Sequence, residues 1–481
     1  MILASSIAYG SLLVAVGQAA PGQQQQPLLL DEPDFNLREQ TDILCDAGSR
    51  HWTGSVPISD DKNMSFWFFE SRNSPKTDPV LLWMSGGPGA SGEFGIFKDS
   101  GPCQVNSDGN STSKREFSWT DEANVLFIDQ PVGVGFSSIT DRDLMAVTLE
   151  QGGSDLYAFL SLFTTQIFPE TKKLPWHITG ESMGGHYVTG YAKYLVQQQR
   201  ERSAHHQPGT LAIDIATAII VAGYIDATRS TAGLYDYLCL DWRKDGHEPL
   251  VRHAAACASM AAGVPSCEAK AALCRATYDK EVCILAANHC NATVAGYFWE
   301  HVKPGGWNPY DHRATCDEPP LCSDMQGGPT HKYLNQPWVL DRLGYPGKSL
   351  SLIDMDANQR WQRDGHLFLP ATRELQWLLD ETDIRVLFIN GNEDMTINSP
   401  GQIRMLDEQP WKRQAWFRAQ TFSGWYFEGG DLAPESSRAA QGGTQKGDDR
   451  LSLYLVDDAG HMAPWDQPEA VGAIVRAWIR G

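Results

Sequence analysis

The chain has 481 residues, 42% of them hydrophobic and 20% charged, the composition of a globular protein long enough to bury a large core. Its formal net charge of -20 argues against nucleic acid or an anionic membrane surface as partner, and fits a protein kept soluble in an acidic compartment. No apolar stretch reaches the length of a membrane span.

Residues 1–20 read as a signal peptide. The apolar run at 11–16 ends in Gly17-Gln18-Ala19-Ala20-Pro21, small residues suited to cleavage near Ala19, although the usual basic residue before the run is missing. Residues 21–50, with a glutamine tract at 23–26, form a leader segment. Two further features point to the secretory pathway. The 10 cysteines are even in number and crowd mostly into residues 239–322, as in a disulfide framework. They contain no C-x-x-C pair, so no zinc site is expected. Acceptor sequons for glycosylation stand at Asn63, Asn110 and Asn291.

From residue 51 the pattern is that of strands. Residues 64–70 are rich in aromatics, and Val80–Met84 is a continuous apolar run of the kind found in a central strand. That run ends in Ser85-Gly86-Gly87-Pro88-Gly89, a glycine loop whose backbone N–H groups can come close to a ligand. Next come a buried strand at 124–129, a helix at 149–163, a strand before Gly180, a helix after Ser182 and a strand at 213–222. Such alternation implies a mostly parallel central sheet with helices on both faces. The core is expected at 51–225 and again at 346–481, interrupted by an inserted disulfide-rich cap at 226–345 with short Ala-rich helical pieces at 250–262 and 270–276. Strand pattern resumes at 385–390 and at Leu451–Val456. Asp354-x-Asp356-x-Asn358 begins like a calcium loop, but Gln359 stands where Gly is needed and Gly365 where Glu is needed, so calcium is rejected.

Gly180-Glu181-Ser182-Met183-Gly184 is a G-x-S-x-G pattern between a predicted strand and a predicted helix, the setting of a nucleophile elbow. Downstream, the strand at 385–390 runs into Gly391-Asn392-Glu393-Asp394, and Leu451–Val456 leads to Gly460-His461-Met462. The order Ser182, Asp394, His461, each just past a strand end, is that of the α/β-hydrolase fold. Glu393 is the other choice of acid. In this reading His461 takes the proton of Ser182, Asp394 holds the imidazole tautomer, and the N–H groups of Gly87 and Met183 form the oxyanion hole. His186, on the helix after the elbow, reads as packed rather than catalytic.

These motifs carry a resemblance to a family. With Phe69-Glu70-Ser71-Arg72-Asn73, Leu82 to Gly89, Phe127 to Ser137, Tyr333-Leu334-Asn335 and Gly460-His461-Met462, the chain resembles the serine carboxypeptidases, including the fungal carboxypeptidase Y type, from about residue 51 onward. The resemblance implies release of C-terminal residues from peptides at acidic pH through an acyl-enzyme, with no metal or organic cofactor. It implies a site for the substrate's free carboxylate at Trp83, Ser85, Gly86, Asp99 and Glu181, in which two adjacent acids share a proton. Asp99 replaces the family's Glu and Ser85 its Asn. The resemblance further implies the disulfides Cys267 with Cys290, Cys274 with Cys283, Cys239 with Cys257 and Cys316 with Cys322, leaving Cys45 to Cys103. A disulfide from the glycine loop to the cap is absent, because Ala90 stands in place of its cysteine. Acyltransferases and esterases of similar sequence, which often carry Ser or Thr at the Ser85 position, form the alternative. Expected partners are peptide substrates with a free C-terminal carboxylate. A monomer and a homodimer both fit, and delivery is to the exterior or a vacuole.

Overall fold

The computed structural model describes residues 35–205, 211–319, 321–323, 325 and 327–481. The expected signal peptide and residues 21–34 of the leader segment lie outside them.

Strands β1 (His51–Ser59) and β2 (Lys62–Phe69) form an antiparallel hairpin at one edge of the main sheet. Beside β2 run β4 (Asn124–Ile128), β3 (Val80–Met84), β5 (Pro175–Glu181), β6 (Asp214–Val221) and β7 (Arg385–Gly391), in that spatial order. The far edge holds β8 (Ser423–Glu428), β9 (Asp431–Ala433), β10 (Ala440–Gly447) and β11 (Leu451–Val456), with β11 against β7. Along the path β4–β3–β5–β6–β7–β11 every pairing is parallel, and β10, β8 and β9 follow β11 in antiparallel pairings.

Continuous apolar runs suit this sheet because alternate residues enter two separate cores. Val80, Leu82 and Met84 pack on one face with Leu126, Ile220 and Phe388, while Leu81 and Trp83 pack on the other with Phe127, Val221 and Ile389. Helices α2 (Leu149–Leu162) and α3 (Gly184–Ala204) cover the first face through Leu156, Leu160 and Tyr187. Helix α1 (Gly92–Lys98) and the helix Pro468–Arg480 cover the second through Phe94, Phe97 and Ile474.

The crossover from β6 to β7 holds the largely helical segment that carries eight of the cysteines. Helices α4 (Ala227–Cys239), α5 (Ala254–Thr277) and α6 (Lys280–Cys290) are tied by Cys239–Cys257, Cys267–Cys290 and Cys274–Cys283; Cys316–Cys322 closes a loop further on, and Cys45–Cys103 lies at the start of the sheet-bearing part. The two Ala-rich pieces expected at 250–262 and 270–276 are one helix, α5, which runs through Pro265. The disulfides to α6 hold it, and a side chain at Gly263 would meet the Thr293 carbonyl at 2.3 Å, so the residue that looks like a breaker is a packing position. Asp354 and Asp356, at the rejected calcium loop, pair with Arg142 at 2.7 and 3.0 Å.

Candidate active site

β5 brings the chain to Ser182 and α3 takes it away at Gly184, so the turn between them has to be tight. Ser182 has φ of 59°, a left-handed conformation that costs about 1–2 kcal/mol for a residue with a side chain. Three backbone hydrogen bonds hold it: its N–H donates to Val221 O at 3.0 Å, and its carbonyl accepts from Tyr224 N at 2.7 Å and Gly185 N at 2.9 Å. The glycine loop after β3 lies directly against this turn. A Cβ on Gly86 would stand 2.6 Å from the Ser182 Cβ and 2.8 Å from Met183 N, and Gly87 has φ of 104°, which favours glycine. Among the described residues, the N–H groups of Gly87 and Met183 have no acceptor.

Asp394 and His461 sit past the ends of the parallel neighbours β7 and β11. His461 Nδ1 lies 2.6 Å from Asp394 Oδ2, while Asp394 Oδ1 accepts from the N–H groups of Thr396 at 2.8 Å and Ile397 at 3.0 Å. The carboxylate is therefore oriented from both sides and fully buried. Glu393, the other choice of acid, faces Arg243 at 2.9 Å and the His312 ring at 3.1 Å instead. His186 is held between the carbonyls of Tyr224 and Leu369 and has no ring nitrogen to spare.

Ser182 and His461 line one cavity of about 450 Å³, whose floor also includes Ser85, Gly86, Gly87 and Glu181. Trp83 and Asp99 stand one layer behind it. The indole Nε1 of Trp83 donates to Ser85 Oγ at 3.2 Å, which leaves the Ser85 hydroxyl proton free to point elsewhere. Asp99 and Glu181 are both buried. Burial raises the pKa of Asp99 to about 7, and burial together with the Asp99 charge raises that of Glu181 well above its ordinary value. As anions, neither Asp99 oxygen nor Glu181 Oε2 has a donor; one proton between the two carboxyls supplies it. Behind them, Arg115 donates to the main-chain carbonyl of Asp99.

One contributor escaped the sequence reading. Residues 309–312 cross over both loops: Pro309 O accepts from Met395 N at 3.2 Å and Thr396 N at 3.0 Å, Tyr310 O accepts from His461 N at 2.7 Å, and His312 N donates to Glu393 O at 3.0 Å. All four of these contacts are between main-chain atoms, which no residue type announces.

A central parallel sheet with helices on both faces, an elbow serine, and an acid and a histidine beyond later strands make this an α/β hydrolase. The chain belongs to the serine carboxypeptidase family, whose model matches residues 44–481. It is 30% identical over 422 residues to a carboxypeptidase Y homolog A of Phaeosphaeria nodorum, covering 88% of this chain and 72% of that one. It is 31% identical over 459 residues to carboxypeptidase Y of Schizosaccharomyces pombe, covering 93% of this chain and 43% of the relative. Among solved structures it resembles Kex1(delta)p, a prohormone-processing carboxypeptidase from Saccharomyces cerevisiae, with a TM-score of 0.72 over 90% of this chain and 91% of that chain; at 22% identity this likeness shows the fold.

Proposed function

We propose that this enzyme removes the last residue from peptides at acidic pH through an acyl-enzyme on Ser182. The observation that carries the reading is the meeting of two sets of groups on one cavity floor: Ser182 and His461 for the chemistry, and Ser85, Gly86 and Glu181 for a carboxylate one residue away.

In this mechanism the substrate's terminal carboxylate accepts hydrogen bonds from the Ser85 hydroxyl, the Gly86 N–H and a protonated carboxyl of the Asp99–Glu181 pair. Trp83 orients Ser85, and Asp99 keeps a proton available to Glu181. His461 takes the Ser182 proton as Oγ attacks the last peptide carbonyl, and Asp394 stabilises the imidazolium. The N–H groups of Gly87 and Met183 receive the developing oxyanion, a contribution of about 3–4 kcal/mol per donor in comparable sites. His461 then protonates the leaving amine, and water, activated by the same imidazole, releases the shortened peptide. No step calls for a metal or cofactor.

The five disulfides support maturation in an oxidising compartment, and no helix among the described residues is long and apolar enough to cross a membrane. We read the enzyme as a secretory-pathway protein, exported or vacuolar.

The test is release of the last residue from an N-blocked dipeptide between pH 4 and 8, beside the dipeptide amide and a simple ester, with Ser182→Ala as control. Turnover of the free acid at acidic pH, falling by about a million-fold in the variant, is the expected result. Ester cleavage or acyl transfer to an alcohol without peptide release would move the assignment to an acyltransferase.

A further inference from the structure

Asn291 stands apart from the other two acceptor sequons. Asn63 lies half-buried in β2, with its Oδ1 enclosed. Asn110 is exposed, but its amide is engaged: Oδ1 accepts from Gln336 Nε2 at 2.6 Å and Nδ2 donates to the Asp108 carbonyl at 3.1 Å. The Asn291 side chain is exposed, at the start of the turn Asn291–Ala295 after α6, and has no hydrogen-bond partner among the described residues.

Its position matters more than its exposure. Asn291 lines the same cavity as Ser182 and His461, and among the lining side chains it is exposed together with Trp299 and Gln362, whereas Ser85, Glu181 and Met183 are buried. The cavity therefore runs from a buried floor to a rim, and Asn291 is on the rim. A substrate with its carboxylate on the floor advances by about 3.3–3.6 Å per residue, so its upstream part leaves over that rim within a few residues of the end.

We propose that Asn291 carries an N-linked glycan and that this glycan, rooted at the mouth of the substrate cavity, confines hydrolysis to short peptides. The proposal rests on the peptidase reading given above. In the modification, Asn291 Nδ2 displaces the diphosphate from C1 of a polyprenyl-diphosphate-linked oligosaccharide. One C–N bond forms and one C–O bond breaks; the amide loses a proton and the polyprenyl diphosphate leaves with the bonding pair. A bulky hydrated oligosaccharide there crowds the upstream chain of a long substrate and leaves a dipeptide untouched.

The experiment uses the full chain from a eukaryotic secretory host. The mass of the reduced tryptic peptide covering residues 281–313 reads occupancy of Asn291 independently of activity. Kinetics then compare kcat/KM for a blocked dipeptide with kcat/KM for an unstructured peptide of 30 or so residues ending in the same two residues. Asn291→Gln and Thr293→Ala both remove the sequon, while Thr293→Ser keeps it and serves as control. The expected result is an occupied Asn291 in wild type and Thr293→Ser, and a long-to-short ratio of kcat/KM that rises about tenfold in both sequon-less variants with the dipeptide rate unchanged. An unmodified Asn291 overturns the proposal, and so does an occupied Asn291 whose loss leaves the ratio where it was. Occupancy with no turnover of either peptide overturns the peptidase reading, and the length filter with it.

Discussion

The carbonyl of Tyr310, in the segment inserted between β6 and β7, accepts the main-chain N–H of His461 at 2.7 Å. One residue earlier, Pro309 accepts from the loop of Asp394, so the acid and the imidazole are held in register by a strap that belongs to neither strand. Asn308 anchors the strap: its Oδ1 accepts from Tyr310 N and its Nδ2 donates to Cys322 O, each at 3.0 Å. Asn308→Ala removes both bonds, and we expect kcat to fall about tenfold, or ~1.4 kcal/mol, with KM within twofold. Steady-state kinetics beside a thermal melt check this; an unchanged kcat at a lowered melting temperature would make the strap purely structural.

In the proposed mechanism the carboxyl pair sets the pH dependence of substrate binding. Asp99, raised to about 7, and Glu181, raised well above its ordinary value, retain at acidic pH a proton that the proposed capture of a substrate carboxylate requires. KM for a free-acid dipeptide should therefore climb as pH rises through about 7, with kcat less affected. In Glu181→Gln the amide is a donor at every pH, and the climb should vanish. A KM for that variant that rises like the wild type's would place the titration elsewhere.

Glu93 makes a parallel argument for stability. It is buried beside Asp129, whose carboxylate accepts from Gly92 N at 2.8 Å and Phe136 N at 2.6 Å; burial and that charge raise the Glu93 pKa well above its ordinary value. The folded state then holds a proton that the unfolded chain has released, so stability is present at low pH and is lost as pH climbs above the ordinary carboxylate range. Urea midpoints should be lower at pH 8 than at pH 5, and the difference should shrink in Glu93→Gln. The same difference in both proteins would assign it to other groups.

Ser85 tests the proposed carboxylate capture. With Trp83 donating to its Oγ, one proton remains for the substrate. Ser85→Asn offers a longer donor, and we expect KM for the free acid to drop about tenfold, ~1.4 kcal/mol, while the ester is unaffected. An equal change for acid and ester would show that Ser85 does not face the carboxylate.

Gly86 tests the packing of loop on elbow. An added Cβ meets the Glu181 carbonyl and the Ser182 Cβ at 2.6 Å each, both parts of the turn itself. Gly86→Ala should lower kcat at least about a hundredfold, the scale of a lost oxyanion donor. A variant that keeps its kcat and its melting temperature would mean that the loop yields.

The central strands were legible because both of their faces are buried, which writes them as unbroken runs such as Val80–Met84. Ser182, Asp394 and His461 could be found because each follows such a run, and the structure brings the last two within 2.6 Å. Helix α5 was not legible as one element, since Gly263-Val264-Pro265 has the local signature of a stop and only the disulfides and the Thr293 contact override it. The strands β8 and β10 were missed because half-exposed strands need no apolar run, and β10 carries Gly442 and Gly443. Sequence also could not separate Ser85 and Glu181, which face the cavity, from Trp83 and Asp99 behind it, because that depends on depth and not on residue type.

The disulfides draw two covalent maps that never meet. Four of them join residues between 239 and 322 to one another, and the fifth joins Cys45 to Cys103. Beyond the chain itself, the part of the molecule that shapes the rim and straps the histidine is thus held to the hydrolase sheet without a disulfide, by packing, by hydrogen bonds such as that of Tyr310 O with His461 N and by ion pairs such as that of Arg229 with Glu408. The redox history of a preparation therefore becomes an experimental variable. Protein made in a reducing cytosol loses the cross-links within the part that carries the strap and the rim. Inactivity of such material reflects the expression host and carries no information about Ser182.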